Sequence, residues 1–480
     1  MGTARRIYEN TVYLGIAEAV SRVLQFVVML YAARILSQEH FGKFSFALSL
    51  SLIAIVLADF GINTLLVREI SRNKSLASKY FTNAFFTKIA LSFITYFIIV
   101  AVLNILNYPQ DTRNIVYIIW LFTILSTFTE LFYSIFRAFE MMIYDSFLKI
   151  LRMIILTFAG LYVLFKGYGI FVFSYVFVFV EAIVVVIASL IALNKFIKLK
   201  MEVDFSFVKS LIKRSIPFGL AFVFGMIYFF IGSVMLSKMK GDLEVAIYSV
   251  AYNLALAIIF IPTVYTNAIY PVLSRYHKEG RAELKTLYER SFKYLYVIGL
   301  PISVGIFLLA DRIIYFFYGN AYSASIIALQ IISLYLFIKF INFLLGTVLS
   351  SIDQQGKRML GQGTTALFSI LLNLLLIPKI GYVGAAWSTF ITEVFLFFIY
   401  YWYVSKNWYF YNFSYLLAKP IIAAIGMFLA IRFLDFGLVL TIALSAAAYF
   451  AILSALKAFD KKDYEIMKTI FKNEKIQANS

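Results

Sequence analysis

The sequence predicts an all-α, polytopic membrane protein with about fourteen spanning helices, and three observations predict it. Apolar residues fill 62% of the 480 positions, well above the share in a soluble domain. Segments 89–110, 245–274, 313–338 and 436–456 contain no Asp, Glu, Lys or Arg. Apolar runs recur at the length of about 20 residues that a helix needs to cross a bilayer core of about 30 Å. In hydrocarbon every backbone N–H and C=O must be paired within its own segment, which leaves helices as the solution. The predicted arrangement is two pseudo-symmetric six-helix lobes around a central cavity, with two peripheral helices. Residues 1–200 form the first lobe, 201–405 the second, and 406–480 the last two spans with a basic tail.

The first span, 11–33, places Glu18 and Arg22 four residues apart, on one helical face where they can pair. Ser21 and Gln25 adjoin them and give the helix a hydrophilic stripe suited to a cavity; a purely structural ion pair is the plainer reading. A cleavable signal is not expected, because these charges interrupt the apolar run. The second span, 41–61, ends near Asp59, where a capping or loop contact is expected. Spans three to six cover 82–105, 115–137, 146–165 and 168–193, and carry Lys88, Glu130 and Glu181. Lys88 lies about two turns into its helix and can snorkel or face a cavity.

The segment 195–214 mixes Phe, Ile and Leu with Lys, at spacings expected of an amphipathic helix on the membrane surface. It divides six spans from the eight that follow. Those are placed at 215–237, 246–270, 292–311, 325–349, 358–378, 381–404, 414–431 and 436–456. Asn253, Asn267 and Pro262 fall in span eight, Pro301 in nine, Lys339 and Asn342 in ten, Asn373 in eleven and Glu393 in twelve. Interior prolines free backbone groups, which membrane helices tolerate around cavities and hinges. An internal repeat is visible: Gly169 precedes Glu181 by twelve residues, and Gly381 precedes Glu393 by the same interval.

Composition excludes several classes. With no cysteine and only His40 and His277, there is little to build a metal cage or a Ser-His-acid triad, and no metal or cofactor is expected. The formal charge of +18 is a topology signal rather than a nucleic-acid footprint. With both termini inside, and charges towards the span ends counted with the adjoining connection, 31 Lys and Arg fall on the inner side and 9 on the outer, with Arg22, Lys88 and Lys339 left deep within spans. Both ends of the chain are basic, which favours an even span count, cytoplasmic termini and attraction to anionic membrane lipids. The longest outer connection, 311–324, is too short to fold as a catalytic domain.

A charge at the bilayer centre costs about 2.5–3.5 kcal/mol on insertion scales, so buried ones are functional candidates. Lys339 sits too deep to snorkel and is the strongest single cation, with Glu393 or Glu181 as a structural partner in the plainer reading. Glu130, Glu181 and Glu393 are placed to serve as proton or cation sites, or as neutral hydrogen-bonded carboxyls.

Several stretches resemble one family. AARILSQEHFGKFSFALS (32–49), LLVREISR (65–72), IPTVYTNAIYPVLSR (261–275) and NLLLIPKIGYVGAAWST (373–389) resemble segments of Wzx-type polysaccharide-unit flippases in order and spacing. These belong to the multidrug, oligosaccharidyl-lipid and polysaccharide exporter superfamily. Ser21-Arg22-Val23-Leu24 is similar to the start of span one in its lipid II flippases, where the arginine faces the substrate diphosphate. A second arginine of that motif falls at Val28 here, which argues against lipid II itself. The resemblance implies alternating-access transport of a polyprenyl-(pyro)phosphate-linked oligosaccharide across the cytoplasmic membrane, by a monomer and without catalysis. Arg22, Lys339, Lys88 and Asn253 are the candidate substrate contacts. Glu18, Asp59, Glu130, Glu181 and Glu393 are candidates for H+ or Na+ coupling or for structural charge. The alternative is an ion-coupled multidrug antiporter, against which the mid-span cations speak; a membrane glycan polymerase or ligase lacks the outer loop such enzymes use.

Overall fold

Thirteen of the fifteen α-helices among the described residues are long and apolar enough to cross a bilayer in the computed structural model. The structure describes residues 3–198, 203–433, 436–460 and 463. Lysines 461, 462, 468, 472 and 475 of the expected basic tail lie outside them, as does 199–202 of the expected surface helix.

The first lobe contains α1 (Thr3–Ile35), α2 (Gln38–Asp59), α4 (Ala77–Ile105), α5 (Gln110–Ala138), α6 (Met142–Phe165) and α7 (Gly169–Lys195), with the short α3 (Ile62–Arg72) after α2. The second contains α8 (Phe205–Lys240), α9 (Asp242–Glu279), α10 (Arg281–Leu308), α12 (Ser325–Ser351) and α13 (Gln355–Asn407), with the short α11 (Ala310–Tyr318) before α12. Helices α14 (Ser414–Phe433) and α15 (Leu438–Ala455) pack on each other and lean on α10.

At 53 residues α13 would be about 80 Å long if continuous, more than twice the hydrocarbon thickness. It breaks at Ile380 and at Gly381, whose φ of 56° favours glycine. The arms fold back so tightly that a Cβ on Gly384 would lie 2.5 Å from the Leu376 carbonyl oxygen. With α13 crossing twice, the chain makes the fourteen passes that hydropathy predicts.

Many hydroxyls within the spans are satisfied by their own helix. The hydroxyls of Ser49, Thr87, Thr157, Ser174 and Ser445 each donate to the carbonyl four residues earlier. Proline chemistry also explains how α15 docks. Pro301 has no N–H to offer the Val297 carbonyl, and the buried Tyr449 hydroxyl of α15 donates to that carbonyl instead, at 3.0 Å.

Two sequence expectations change. The segment 195–214 is not a separate surface helix: it is non-helical at 196–198, and from Phe205 it runs on into α8 as one 36-residue helix. Asp204 caps that helix, accepting from the Phe207 N–H at 3.0 Å. The connection 311–324, expected as a loop, holds α11, which buries Ala310, Ile313, Ile314 and Tyr318. The helix that does have a surface pattern is α3, with Ile62, Leu65, Leu66 and Ile70 buried along one side.

Candidate functional site

The lobes meet chiefly along α2, which packs against both α8 and α9, while α1 also touches α9 and α3 touches α8. Near its start Gly42 presses on the Asp242 backbone with no room for a Cβ between them. At its far end Gly61, with φ 77°, abuts α8: a Cβ there would lie 2.6 Å from the Gly219 nitrogen, and one on Gly219 would lie 2.8 Å from the Phe60 carbonyl oxygen. Glycine at these positions lets the two backbones touch.

Polar contacts reinforce the second closure. Glu69 of α3 pairs with Arg214 of α8 at 2.6 Å and with Arg68 at 2.9 Å. Arg214 also reaches the Tyr80 hydroxyl at 3.2 Å, and Lys79 pairs with Asp204 at 3.2 Å. Desolvation raises the Glu69 carboxyl, but the two guanidinium groups outweigh it and hold the group below its ordinary range. Asp204 drops to about 2, chiefly through the Phe207 N–H, with Ser206 and Lys79 assisting.

Each candidate charge has a defined environment. In the first lobe the Lys88 ammonium is wholly enclosed, 2.6 Å from Asp59 and donating to the Thr127 carbonyl at 2.9 Å. Lys88 therefore ties α4 to α2 and α5 and does not snorkel, and Asp59 answers that ammonium rather than a loop. Glu130 pairs with Arg137 at 3.2 Å, and Arg137 with the buried Asp145 at 2.6 Å. Glu181 accepts from the Thr129 hydroxyl at 2.6 Å and lies 3.4 Å from Arg152.

In the second lobe Glu393 accepts from Lys339 at 2.5 Å and from the Asn342 amide at 2.9 Å. The ammonium also donates to the Tyr228 hydroxyl at 3.0 Å and lies 4.3 Å from the Phe229 ring centroid. Beside this cluster is a chamber of about 10 Å³, room for about one water molecule, into which Asn373 and Thr392 contribute. The Asn373 Oδ1 and Thr392 Oγ1 atoms have no hydrogen-bond partner among the described residues.

Glu18 and Arg22 form the i,i+4 pair at 2.9 Å and are the most accessible of the candidate pairs, at 37% and 44%. Neither bonds another helix among the described residues. Asn253 is half-buried. The structure thus brings together Lys88 with Asp59, Lys339 with Glu393, and Glu18 with Arg22, but makes no direct link between Arg22 and Lys339. Sequence reasoning missed Arg137, Asp145 and Lys149, whose places towards helix ends resembled ordinary inner-side charge, and Arg152, which lies near the middle of α6. The i,i+4 spacing of Asp145 and Lys149, realised here at 3.1 Å, was the available signal.

Residues 7–277 match the family described as Polysaccharide biosynthesis protein, and 217–378 match the MatE family. The first match covers more than half of the chain. The chain belongs to the polysaccharide biosynthesis protein family. Among curated relatives of this family member, a protein of Haloferax volcanii named as a probable low-salt glycan biosynthesis flippase, Agl15, is 22% identical over 79% of each chain. An uncharacterised membrane protein of Methanocaldococcus jannaschii is 23% identical over 59% of this chain and 57% of that one. In fold it is similar to the lipid II flippase MurJ in an inward closed conformation, with a TM-score of 0.77, 17% identity and coverage of 92% and 98%. An inward-facing multidrug resistance MATE transporter gives 0.67 at 13% identity, over 80% and 95%.

Proposed function

We propose that this family member flips a polyprenyl-(pyro)phosphate-linked oligosaccharide from the inner to the outer leaflet of the cytoplasmic membrane by alternating access. A lipid-linked sugar has a head that cannot enter hydrocarbon and a tail that can stay there. A two-lobe bundle solves this by enclosing the head in a wet cleft that opens to either side in turn. The observation that carries the reading is Arg22, a half-exposed guanidinium inside a spanning helix with Glu18 as its one ion partner among the described residues. Hydrocarbon would penalise such exposure, whereas a polar cleft with an anionic headgroup rewards it through charge-assisted hydrogen bonds. The glycan-flippase name of the Haloferax relative and the family's polysaccharide description support the substrate class.

Within this reading Arg22 takes the phosphate, with Asn253 as a polar neighbour to the glycan. The enclosed Lys88 serves structure. Lys339 cannot meet an anion while Glu393 holds it, so the pair is assigned to coupling: a proton or cation on Glu393 releases the ammonium and shifts the second lobe. The fold and the MatE match over 217–378 favour one competing reading, a multidrug antiporter.

Complementation of a flippase-deficient strain separates the two. Arg22→Ala should insert at normal abundance and lose glycan export, and Arg22→Lys should keep part of it. Export by Arg22→Ala at the wild-type rate would overturn the assignment of Arg22 to the phosphate, and the flippase reading fails if the wild-type chain exports a cationic dye and no glycan.

A further inference from the structure

A second cavity, of about 410 Å³, lies at the opposite end of α9 from Asp242, between that helix and the turn joining α12 to α13. This is within the size range of small-molecule sites. It is separate from Arg22 and from the Lys339–Glu393 cluster, and under the proposed topology it opens on the inner face. Tyr270, Ser274 and Lys278 of α9 form one wall, and Ser350, Ser351 and Asp353 the other.

The hydrogen-bonding capacity of this lining is specific. The Ser350 and Ser351 hydroxyls donate to the Gly346 and Val348 carbonyls, at 3.1 and 2.8 Å, and Ser350 also accepts from the Arg358 guanidinium at 2.8 Å, so what these two hydroxyls have left for a guest is lone pairs. Glu279 and Asp353 add acceptor-only carboxylates. Donors come from Arg275, 3.8 Å from Glu279, and from Lys278, which makes no ion pair among the described residues. Asp353 is held in the left-handed region, φ 60°, with its carboxylate 84% exposed and 3.9 Å from His277 across the mouth. Tyr270 contributes an aromatic ring, 43% exposed.

Phosphate and pyrophosphate are acceptor-rich anions; here they would meet the lone pairs of Ser350 and Ser351 and two carboxylates that offset the two lining cations, with Arg358 already engaged by Ser350. A sugar ring matches better. Its hydroxyls both donate and accept, its C–H face suits an aromatic ring, and it is indifferent to the near-zero net charge. We propose that this cavity is an inner-face docking site for the sugar portion, not the phosphate, of the lipid-linked glycan. The inference rests on the flippase reading and extends it: the glycan is held on the inner side at a point distinct from the cleft.

The test uses the full-length protein in nanodiscs with methyl glycosides of glucose, mannose and N-acetylglucosamine as probes, read by saturation-transfer NMR. At least one glycoside should show transfer. Tyr270→Ala should weaken that signal about tenfold, as expected for loss of an aromatic platform. Asp353→Asn should reduce it, Tyr270→Phe and Arg22→Ala should preserve it, and inorganic pyrophosphate should not compete. Absence of transfer to all three probes, an unchanged signal in Tyr270→Ala, or competition by pyrophosphate overturns the proposal. If Arg22→Ala abolishes export while no glycoside binds, this inference falls and the flippase reading stands. If a glycoside binds through Tyr270 while the wild-type chain exports no glycan, the flippase reading falls and the sugar site stands.

Discussion

Glu181 and Glu393 each follow a glycine of positive φ by twelve residues, and each ends in a carboxylate no more than 2% exposed. Each accepts a hydrogen bond from the fourth span of its own lobe, Thr129 for Glu181 and Asn342 for Glu393. The counter-cations differ: Arg152 comes from the fifth span of the first lobe, and Lys339 from the fourth of the second. The spacing repeat was legible because it is local; the partner of Lys339 was legible only as a choice between Glu393 and Glu181, because residues 54 positions apart leave no local signal, and the structure selects Glu393. Removing one member of a buried pair leaves an uncompensated charge, which costs about 3–5 kcal/mol. Lys339→Met should therefore lower the unfolding temperature of the purified protein sharply, and adding Glu393→Gln should recover most of the loss. Equal unfolding temperatures for the single and double variants would show that the pair contributes nothing to the fold.

Among the helices, α2 has the most demanding position, since it touches the second lobe at both of its ends. Hydropathy located α2 but gave no sign of these contacts, because glycine-mediated approach leaves no hydrophobic signature. LLVREISR, visible in the sequence as a motif, acquires a mechanical role: its Leu65, Leu66 and Ile70 are buried, and its Glu69 holds Arg214. Glu69 has a depressed folded pKa, so its contribution is complete above its ordinary value of 4.5 and is lost as pH falls through the lower folded value. The closure is thus expected to persist through mild acidification. Leu211, 2% exposed and packed with the α3 cluster, offers a reporter in a cysteine-free chain. Arg214→Ala should raise the thiol-labelling rate of Leu211→Cys by roughly 2–5-fold, the effect of losing a partly exposed ion pair. A rate independent of Arg214 would remove the ion pair from the closure.

For the molecule as a whole, the count of passes was legible because hydrocarbon imposes a coarse rule that every span obeys. The short helices α3 and α11, too short to cross, escaped that rule and appeared as connections. Orientation rests on a different signal, the excess of Lys and Arg at one end of the bundle. The end in question carries α3, the start of α8 and the α9–α10 turn; the opposite end carries α11 and the α1–α2 turn. Gly280 lies in the α9–α10 turn and Asn320 in the 3₁₀ turn after α11, with the whole of α10 between them. Their cysteine variants are therefore a clean pair of markers. In intact cells an impermeant thiol reagent should label Asn320→Cys and leave Gly280→Cys unmodified until the membrane is opened. The reverse pattern would invert the protein, turn the basic end outward and place the sugar cavity on the wrong side to receive a glycan made in the cytoplasm.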